Sequence, residues 1–386
     1  MDRLEPHRRK VLEAIESIGA ERVALREAAG RFLSEPARAV RAAPPFTCSA
    51  MDGYAVRHAD VRGPVELLVR EVTYAGDLPG GPLGPGEAVR IFTGAPLPPG
   101  ADAVVREEST EVRGERVLFR HEARPGENVR PAGEDVAAGG EALPAGTRLG
   151  PRQVALLEAV GCEAVHVRRR VRVALVATGD EVVRGRTPDS NGTALAGSLA
   201  ECGFEVRRTA VGDDVEALRG AIGAALAGAD ALVTVGGVSV GEKDLVAGAL
   251  EGLGASIRVH GVPMKPGKPF LFALLDGKPV LGLPGSPSAC LVAFEVFARP
   301  ALLRLAGAGR VERPRAFLPV AERCEGRPGR ARFLWATIDA DGRARPVGRD
   351  AAQVRGPALA EALVRIPEGA GDVAEGQEVE TWLLGG

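Results

Sequence analysis

A glycine-rich turn followed by a charged cluster is the part of this chain best suited to chemistry. Residues 233–244 read Val-Thr-Val-Gly-Gly-Val-Ser-Val-Gly-Glu-Lys-Asp. Glycine lets the backbone turn sharply and approach a ligand closely, and the N–H groups of such a turn before a helix attract phosphate or another oxyanion. The pattern predicts an enzyme that acts on a phosphorylated or oxyanionic ligand, with a plain structural turn as the alternative. The residues predicted to contact the ligand are Gly236, Gly237, Ser239 and Gly241, and Asp244 is predicted to hold a divalent cation beside it.

Two further segments carry charges that suit the same chemistry. Lys265 and Lys268 lie in a stiff Lys-Pro-Gly-Lys-Pro turn, and two ammonium groups that converge repel each other unless an anion lies between them. A solvated surface loop is the alternative interpretation. The Thr-Gly-Asp-Glu turn at 178–181 places two carboxylates after a strand, where Glu181 is predicted to bind Mg²⁺ together with Asp244. Helix capping by this turn is the alternative there.

The elements that must position these turns follow from the hydrophobic pattern. Strands are predicted at 171–177, 205–210, 231–235 and 279–283, and helices at 194–202, 215–227, 245–253 and 287–299. Strands that alternate with helices indicate a doubly wound α/β domain, in which ligands bind beyond the carboxyl ends of the strands. The turns after three of these strands, at 178–181, at Gly236 and at 284–287, are therefore expected to form one pocket.

The regions on either side of the α/β pattern have a different character. Residues 4–30 alternate apolar and charged positions at helical spacing, and a helix is predicted at 151–160 with Pro151 at its start. Short β-like runs at 65–69, 87–92 and 102–105 lie between Pro and Gly clusters and indicate a small all-β unit. Beyond a linker at 310–314, strands at 331–338, 343–347, 362–366 and 378–384 indicate a small β-barrel or sandwich.

The composition sets limits on the class of protein. The 386 residues are 45% hydrophobic, and 49 basic against 51 acidic residues give a net charge of −2 without a basic block suited to nucleic acid. No apolar signal segment opens the chain, and no apolar run approaches the ~20 residues of a membrane span. We therefore expect a cytoplasmic protein with neither nucleic acid nor membrane as a partner. The five cysteines are far apart and form no CxxC pair, which argues against disulfides and structural zinc.

Several short motifs occur in one order along residues 1–305, and together they resemble one enzyme family. They lie at 49–56 (Ser-Ala-Met-Asp-Gly-Tyr-Ala-Val), 90–96 with 99–105, 126–130 with 133–135, 178–181, 189–191, 236–244 and 265–269. The chain resembles the molybdopterin molybdenumtransferases, the MoeA-type enzymes that finish molybdenum cofactor synthesis and whose eukaryotic relatives include gephyrin.

The resemblance implies a multi-domain α/β fold. Its centre is a doubly wound three-layer α/β molybdopterin-binding domain at 171–309, which is shared with the molybdopterin adenylyltransferases. An elongated N-terminal α+β domain comprises 1–40 plus 136–170 and flanks a small inserted β domain at 41–135. A C-terminal β-barrel domain at 310–386 closes the chain.

The resemblance also implies the substrates and the roles of residues near the α/β domain. Adenylylated molybdopterin and molybdate are the substrates, molybdate is inserted at the dithiolene, and AMP is released. Mg²⁺ held by Glu181 and Asp244 neutralises charge while the phosphoanhydride is cleaved. Lys265 and Lys268 attract molybdate or a phosphate. The turn that packs against the pterin consists of Pro284, Gly285, Ser286 and Pro287.

Proteins of this kind are similar in forming dimers whose active site lies between the α/β domain of one subunit and the second domain of the other. By this resemblance Asp52, Thr93 and Asp135 face the pocket of the neighbouring subunit across a two-fold axis. With Glu181 and Asp244 they complete the predicted catalytic set of a homodimer with a shared active site. Further partners that the resemblance allows are a molybdopterin adenylyltransferase and proteins that mature molybdoenzymes.

The chain departs from the family pattern around the expected oxyanion pocket. The Pro-Gly-Asn-Pro turn carries Ser286 in place of Asn, where Ser is able to imitate the capping contact of Asn. The serine that the family usually has two places after the second Pro of this turn falls at Ala289, while a serine stands at Ser288. The Phe-x-Arg motif ends in Trp335, so an oxyanion-binding Arg is lost. The candidates to replace that arginine are Arg330, Arg332 and Arg355.

These departures leave two alternatives beside molybdenum insertion. One is a non-catalytic molybdopterin carrier with an altered oxyanion pocket, and the other is adenylylation of molybdopterin. The acids Asp52, Asp135, Glu181 and Asp244 favour catalysis over carriage. The domains on either side of the α/β unit favour insertion over adenylylation. Tungstate stays an alternative to molybdate, because the two oxyanions are nearly the same in size and charge.

Overall fold

The structure, a computed structural model, describes residues 3–238, 244–348 and 351–385. The first half of the chain is built mostly of short strands. Its elements are α1 Glu5–Glu13, β1 Ala20–Ala24, β2 Ala37–Arg38, β3 Cys48–Ser49, β4 Gly53–Val56, β5 Val65–Thr73, β6 Glu87–Ile91, β7 Ala103–Arg106, β8 Thr110–Arg113, β9 Arg116–Phe119, β10 Val129–Arg130, β11 Glu141–Leu143, α2 Pro151–Ala159 and β12 Ala164–Arg168. Strand β1 pairs with β12 and β2 with β11. Between these pairs, the chain forms a six-stranded sheet in the order β7-β4-β6-β5-β9-β8.

The next part of the chain forms a sheet covered by helices on both faces. Its elements are β13 Arg172–Thr178, α3 Asp180–Val183, α4 Ser190–Glu201, β14 Glu205–Val211, α5 Val215–Ala227, β15 Ala231–Val235, α6 Leu245–Gly252, β16 Ser256–His260, β17 Met264–Lys265, β18 Leu271–Leu275, β19 Lys278–Leu283, α7 Pro287–Ala293 and α8 Arg299–Leu305. The sheet order is β14-β13-β15-β19-β18-β16. The first four strands are parallel to one another, and β18 is antiparallel to both of its neighbours, β19 and β16.

Strand β13 shows why this domain has three layers. Val173 and Leu175 belong to one hydrophobic core, with side chains of α4 and α7. Ala174 and Val176 belong to another core, with side chains of α5 and α6. Successive side chains of a strand point to opposite faces, so a continuous apolar strand needs cover on both sides. This arrangement confirms the predicted doubly wound α/β domain.

The last part of the chain forms a third six-stranded sheet. Its elements are β20 Arg315–Pro319, β21 Ala331–Ile338, β22 Ala344–Pro346, α9 Arg355–Leu359, β23 Ala362–Ile366 and β24 Glu378–Leu383. The strand order is β17-β21-β23-β24-β20, and β22 also pairs with β21. A bridge between Val320 and Ala344 joins the end of β20 to β22, which brings the two ends of the strand row together as in a barrel. Strand β17 comes from the α/β part of the chain and is therefore shared with this sheet.

Some expected elements differ from the observed ones. The helical expectation for residues 4–30 is wrong beyond Glu13, because Ala20–Ala24 is a strand whose partner β12 lies more than 140 residues later. The helix expected at 287–299 runs on to Leu305 through a π-helical turn at Phe294–Ala298. Strands β16, β17 and β18 have no counterpart among the expected elements. All helices in the described part of the chain are too short or too polar to span a bilayer.

A buried ion pair at the start of β15 provides a test of the fold. Asp230 is 7% exposed, and its carboxylate accepts hydrogen bonds from Arg169 at 2.8 and 2.7 Å and from the backbone N–H of Arg172 at 2.8 Å. Burial raises the pKa of Asp230, but the hydrogen bonds from Arg169 and Arg172 outweigh burial and hold the pKa below its ordinary value of 3.8. The folded state therefore binds this proton more weakly than the unfolded state.

We expect Asp230→Asn to lower the free energy of unfolding by about 2 kcal/mol at pH 7, because a charge-assisted contact is lost in a buried position. A group with a lowered pKa stabilises the fold above its unfolded pKa, and this contribution disappears as the pH falls through the folded pKa. The difference in the free energy of unfolding between wild type and variant, measured with denaturant, should thus become smaller below about pH 4. Asp276→Asn, in an exposed turn, is the control, and a difference that stays constant to pH 3 would contradict the charge argument.

Candidate active site

A cavity of about 570 Å³ lies at the carboxyl ends of the parallel strands β13, β15 and β19. We call it the strand-end cavity. Its lining includes parts of the three turns that the sequence predicted to meet, namely 177–179 with 181–182, 235–238 and 284–287, together with 187–191, Asp213 and Pro269. The structure thus brings together Gly236, Gly237, Glu181, Pro284, Gly285, Ser286 and Pro287. The predicted ligand contacts Ser239 and Gly241 lie outside the described residues.

The turn at Gly236 packs closely against the neighbouring strand. Gly236 has φ +86°, and a Cβ atom there would lie 2.7 Å from Oγ1 of Thr178 and 3.1 Å from its carbonyl oxygen. Thr178 in turn donates from Oγ1 to the carbonyl oxygen of Val235 at 3.2 Å. Only glycine fits this backbone conformation and this close approach. The floor of the strand-end cavity is therefore formed by backbone atoms.

Carboxylates line one side of the strand-end cavity. Glu181 is exposed, and its side chain forms no hydrogen bond or ion pair within the described residues. Asp213 follows strand β14 and accepts a hydrogen bond from the backbone N–H of Asp180 at 3.3 Å. Asp213 is not among the residues predicted from the sequence, although it follows the parallel strand β14 just as the three predicted turns follow the other parallel strands. Asp180 caps no helix and instead pairs with Arg184 at 2.6 Å.

The first turn of α4 also closes the strand-end cavity. Asp189 caps α4 by accepting from the backbone N–H of Gly192 at 2.8 Å, and it pairs with Arg208 at 2.7 Å. Asn191 donates from Nδ2 to the carbonyl oxygen of Gly285 at 2.6 Å. This bond holds the turn at 284–287 in place. Ser286 makes no capping hydrogen bond at the start of α7, so the expectation that it imitates a capping Asn is wrong.

Asp244 has partners of its own in the structure. One carboxylate oxygen accepts from the backbone N–H of Ala247 at 3.0 Å and so caps α6, and the other lies 2.7 Å from Nε2 of His260. Its side chain is only 9% exposed, and Asp244 does not line the strand-end cavity with Glu181. In the described ranges, no three His, Cys, Asp or Glu side chains cluster closely enough to hold a metal ion on their own. The role of Glu181 and Asp244 as joint Mg²⁺ ligands stays a prediction.

A second cavity of about 580 Å³ lies between the α/β domain and the C-terminal sheet, and we call it the cationic cavity. Lys265 and Lys268 contribute to it from one side, and Arg327, Arg330 and Arg332 from the other. The described lining residues include no Asp or Glu. Arg332 is held by the backbone and side chain of Glu325, whereas the other four cations form no ion pair within the described residues. Such a cluster of like charges favours an anion between them.

The two cavities adjoin each other. Pro269, Pro284 and Ser286 line both of them. Backbone and carboxylate groups therefore lie on the side of the strand-end cavity, and cations lie on the side of the cationic cavity. A single elongated ligand with chemically different ends matches this arrangement.

Asp52, Thr93 and Asp135 lie on the β-rich first half of the chain and line neither cavity. Asp52 accepts hydrogen bonds from the backbone N–H of Thr93 at 2.8 Å and from its hydroxyl at 2.7 Å. These two hydrogen bonds hold the pKa of Asp52 below its ordinary value, and the bond from the backbone N–H of Thr93 has the larger effect. Asp135 pairs with Arg130 at 2.9 Å, and β10, which ends at Arg130, pairs with β3. The structure thus brings Asp52 and Thr93 together but leaves them away from Glu181 within one chain.

Comparison with known proteins identifies the family of this chain. Residues 3–161 match the MoeA N-terminal region (domain I and II), residues 174–304 the probable molybdopterin binding domain, and residues 318–384 the MoeA C-terminal region (domain IV). The chain is 35% identical over 404 residues to molybdopterin molybdenumtransferase 2 of Mycobacterium tuberculosis, an alignment that covers 100% of both chains. The chain belongs to the MoeA family.

Other members of the MoeA family are similarly close. The molybdopterin molybdenumtransferase of Nostoc sp. is 42% identical over 303 residues, which cover 74% of this chain and 70% of that protein. The crystal structure of the molybdopterin biosynthesis MoeA protein from Pyrococcus horikosii superposes with a TM-score of 0.76 at 34% identity and covers 99% of this chain and 98% of that one. The family places this chain among the transferases of molybdenum cofactor biosynthesis.

The departures from the MoeA pattern lie around the cationic cavity. Trp335, Ser288 and Ala289 all line it. Of the arginines considered as replacements for the missing one, Arg330 and Arg332 also line the cationic cavity, whereas Arg355 lines a separate groove beside α9. Trp335, where the resemblance leads us to expect an arginine, therefore shares this cavity with Arg327, Arg330 and Arg332.

We expect Gly236→Ala to destabilise the strand-end cavity through steric contact with Thr178. The left-handed backbone alone costs an alanine about 1–2 kcal/mol, and the contact at 2.7 Å adds about 1–3 kcal/mol. The matched control is Gly254→Ala, where φ is +78° but nothing lies within 4 Å of the added Cβ. The free energy of unfolding of both variants is measured by denaturant unfolding. Equal losses in the two variants would show that the close approach to Thr178 does not contribute to the effect.

Proposed function

We propose that this chain inserts molybdenum from molybdate into adenylylated molybdopterin and releases AMP, yielding molybdenum cofactor. The observation that carries the proposal is the adjoining pair of cavities with opposite chemistry. The strand-end cavity offers the glycine turn, whose N–H groups suit the phosphates of an adenylylated pterin. The cationic cavity offers lysines and arginines to a doubly charged oxyanion, and all of them except Arg332 form no ion pair within the described residues. The names of the MoeA relatives support the same reaction. We also propose that the chain is divided into four domains, with the boundaries that the resemblance implies.

Mg²⁺ belongs to this proposal as the partner of the phosphates. Magnesium in phosphate sites is commonly held by one or two carboxylates with the substrate oxygens and water. Glu181 fits this role, because its carboxylate lines the strand-end cavity without an ion pair in the described residues. Asp244, the other predicted ligand, is largely buried and bonded to α6 and His260, so it fits less directly. When bound, Mg²⁺ would neutralise charge on the phosphate oxygens.

A homodimer with a shared active site is the second part of the proposal. Asp52 is hydrogen-bonded into its charged form, and both Asp52 and Asp135 are available at the surface of the β-rich half. Neither residue lines the strand-end cavity or the cationic cavity of its own chain. In a two-fold dimer, these carboxylates are available to the strand-end cavity of the neighbouring subunit. Further partners of the proposal are a molybdopterin adenylyltransferase that supplies the substrate and proteins that accept the product.

The proposed reaction is tested by AMP release from adenylylated molybdopterin, with Mg²⁺ present and molybdate titrated. We expect AMP release to depend on molybdate, and Lys268→Ala to raise the molybdate concentration for half-maximal rate by about 10-fold, because one charge-assisted contact is lost. Lys10→Ala, on the exposed face of α1, is the control. Tight binding of the adenylylated pterin without AMP release would instead favour the carrier function.

The shared site is tested by mixing two inactive variants, Asp52→Asn and Glu181→Gln. If Asp52 of one subunit serves the cavity of the other, each mixed dimer contains one intact site. Random exchange then restores about one quarter of wild-type activity. Native mass spectrometry confirms that subunits have exchanged. Mixed dimers without activity would contradict sharing of these two residues between subunits.

A further inference from the structure

Two aromatic rings stack on the surface of the β-rich half of the chain, beside Asp52 and Thr93. The rings of Tyr74 and Phe92 lie parallel, with an interplanar angle of 8° and centroids 4.9 Å apart. Tyr74 follows β5 and Phe92 follows β6, two strands that pair in parallel, so both rings stand at the same end of the sheet. Thr93, which comes directly after Phe92, donates two hydrogen bonds to Asp52. We call Tyr74 and Phe92 the ring pair.

Hydrogen bonds and an ion pair hold the ring pair in place. The backbone N–H of Tyr74 donates to the carboxylate of Asp77 at 2.7 Å, and the N–H of Asp77 donates to the carbonyl oxygen of Tyr74 at 3.1 Å. The guanidinium carbon of Arg90 lies 5.5 Å from the centroid of Phe92, and the carboxylate of Glu107 accepts two hydrogen bonds from Arg90 at 3.1 and 3.2 Å. Because these side chains are already ordered, a ligand that stacks on them loses little affinity to ordering.

One face of the ring pair is open to solvent. Tyr74 is 56% exposed, and the nearby apolar residues Val72 and Leu78 are exposed as well. Within the described part of the chain, Tyr74 stacks on the ring of Phe92 alone. Exposed apolar groups that lie close together mark binding surfaces, and a flat aromatic face is suited to a planar heterocycle. The open face of Tyr74 therefore indicates a site for such a group.

The proposed substrate contains two planar heterocycles, a pterin and an adenine, on opposite sides of its pyrophosphate. The proposed function assigns the oxyanion, and with it the pterin half that carries the dithiolene, to the cationic cavity. The phosphates are assigned to the glycine turn of the strand-end cavity, so the adenosine half extends from them away from the cations. In the proposed dimer, Asp52 serves the strand-end cavity of the neighbouring subunit, which brings the ring pair to that cavity as well. Adenine is therefore the heterocycle that the ring pair is placed to meet.

We infer that the ring pair binds the adenine base of the substrate held in the strand-end cavity of the neighbouring subunit. The base stacks on the open face of Tyr74, and Phe92 supports the ring of Tyr74 from the other side. The β-rich half thus contributes affinity for the nucleotide in addition to the carboxylate of Asp52. The inference rests on the proposed function, because it takes the strand-end cavity to bind the phosphates and the two subunits to share each site.

The test is calorimetric titration of the full-length protein with AMP and with ribose 5-phosphate, with Mg²⁺ present. Both ligands carry the same sugar phosphate, so the ratio of their affinities isolates the base. We expect wild type to bind AMP about 10-fold more tightly than ribose 5-phosphate. Tyr74→Leu keeps an apolar side chain but removes the aromatic face, and should bring the ratio close to one, whereas Tyr74→Phe should preserve it. The matched control is Phe317→Leu, because Phe317 is an exposed aromatic residue on β20 of the C-terminal sheet, and it should leave the ratio unchanged.

A second copy of this chain is the alternative occupant of the open face of Tyr74. Sedimentation equilibrium of wild type and Tyr74→Leu separates the two occupants, and we expect equal dissociation constants for the dimer. A weaker dimer in Tyr74→Leu, together with an unchanged ratio of AMP to ribose 5-phosphate affinity, would overturn the inference.

The selectivity of the unaltered protein keeps the inference testable even if a variant does not fold. Equal affinity of wild type for AMP and ribose 5-phosphate would overturn it, while AMP release that depends on molybdate would still support the proposed function. A preference for AMP that persists in Tyr74→Leu would assign the base to another surface and would overturn the inference alone. If wild type binds neither ligand, the phosphate site at the glycine turn, and with it the proposed function, is contradicted.

Discussion

The two-residue strand β17 is the constraint on which the candidate site depends. Met264 and Lys265 leave the α/β domain and pair in parallel with Ala331 and Arg332 of β21. The backbone N–H of Ala331 also donates to the carbonyl oxygen of Pro263 at 2.9 Å. This short ladder fixes the start of the Lys-Pro-Gly-Lys-Pro turn against the C-terminal sheet. Lysines and arginines that are far apart in the chain therefore line one cavity.

The turn that follows β17 is held tightly on its inner side. Gly267 has φ +103°, and a Cβ atom there would lie 2.3 Å from the methyl carbon of Met264. Met264 is fully buried in the core that also contains Phe333 and Trp335. Packing of one apolar side chain thus fixes the backbone that carries Lys265 and Lys268. The positions of the cations follow from the hydrophobic core beneath them, because their mutual repulsion would otherwise spread them apart.

The division of charge between the two cavities matters as much as the charges themselves. Glu181 and Asp213 lie on the strand-end side, and the lysines and arginines on the other, with Pro269, Pro284 and Ser286 between them. Asn191 secures this boundary by its bond to Gly285. Were acids and bases mixed in one cavity, they would pair with each other and neither would be available to a ligand. Separation by stiff, proline-containing turns keeps both sets available.

The sequence by itself determined the layered α/β fold, because a continuous apolar strand such as 171–177 and the strand-helix alternation leave few other arrangements. It also placed Glu181, Gly236 and the turn at 284–287 at one sheet edge, since the carboxyl ends of parallel strands meet there. It missed strand β1, whose partner is distant in the chain, and strand β17, whose two residues carry no periodic signal. Only the tertiary structure decided that Asp244 bonds to His260, that Arg330 rather than Arg355 lines the cationic cavity, and that the indole of Trp335 donates a hydrogen bond to Ser288. Those contacts join segments from different domains, and such contacts depend on how the domains pack, which local sequence patterns do not encode.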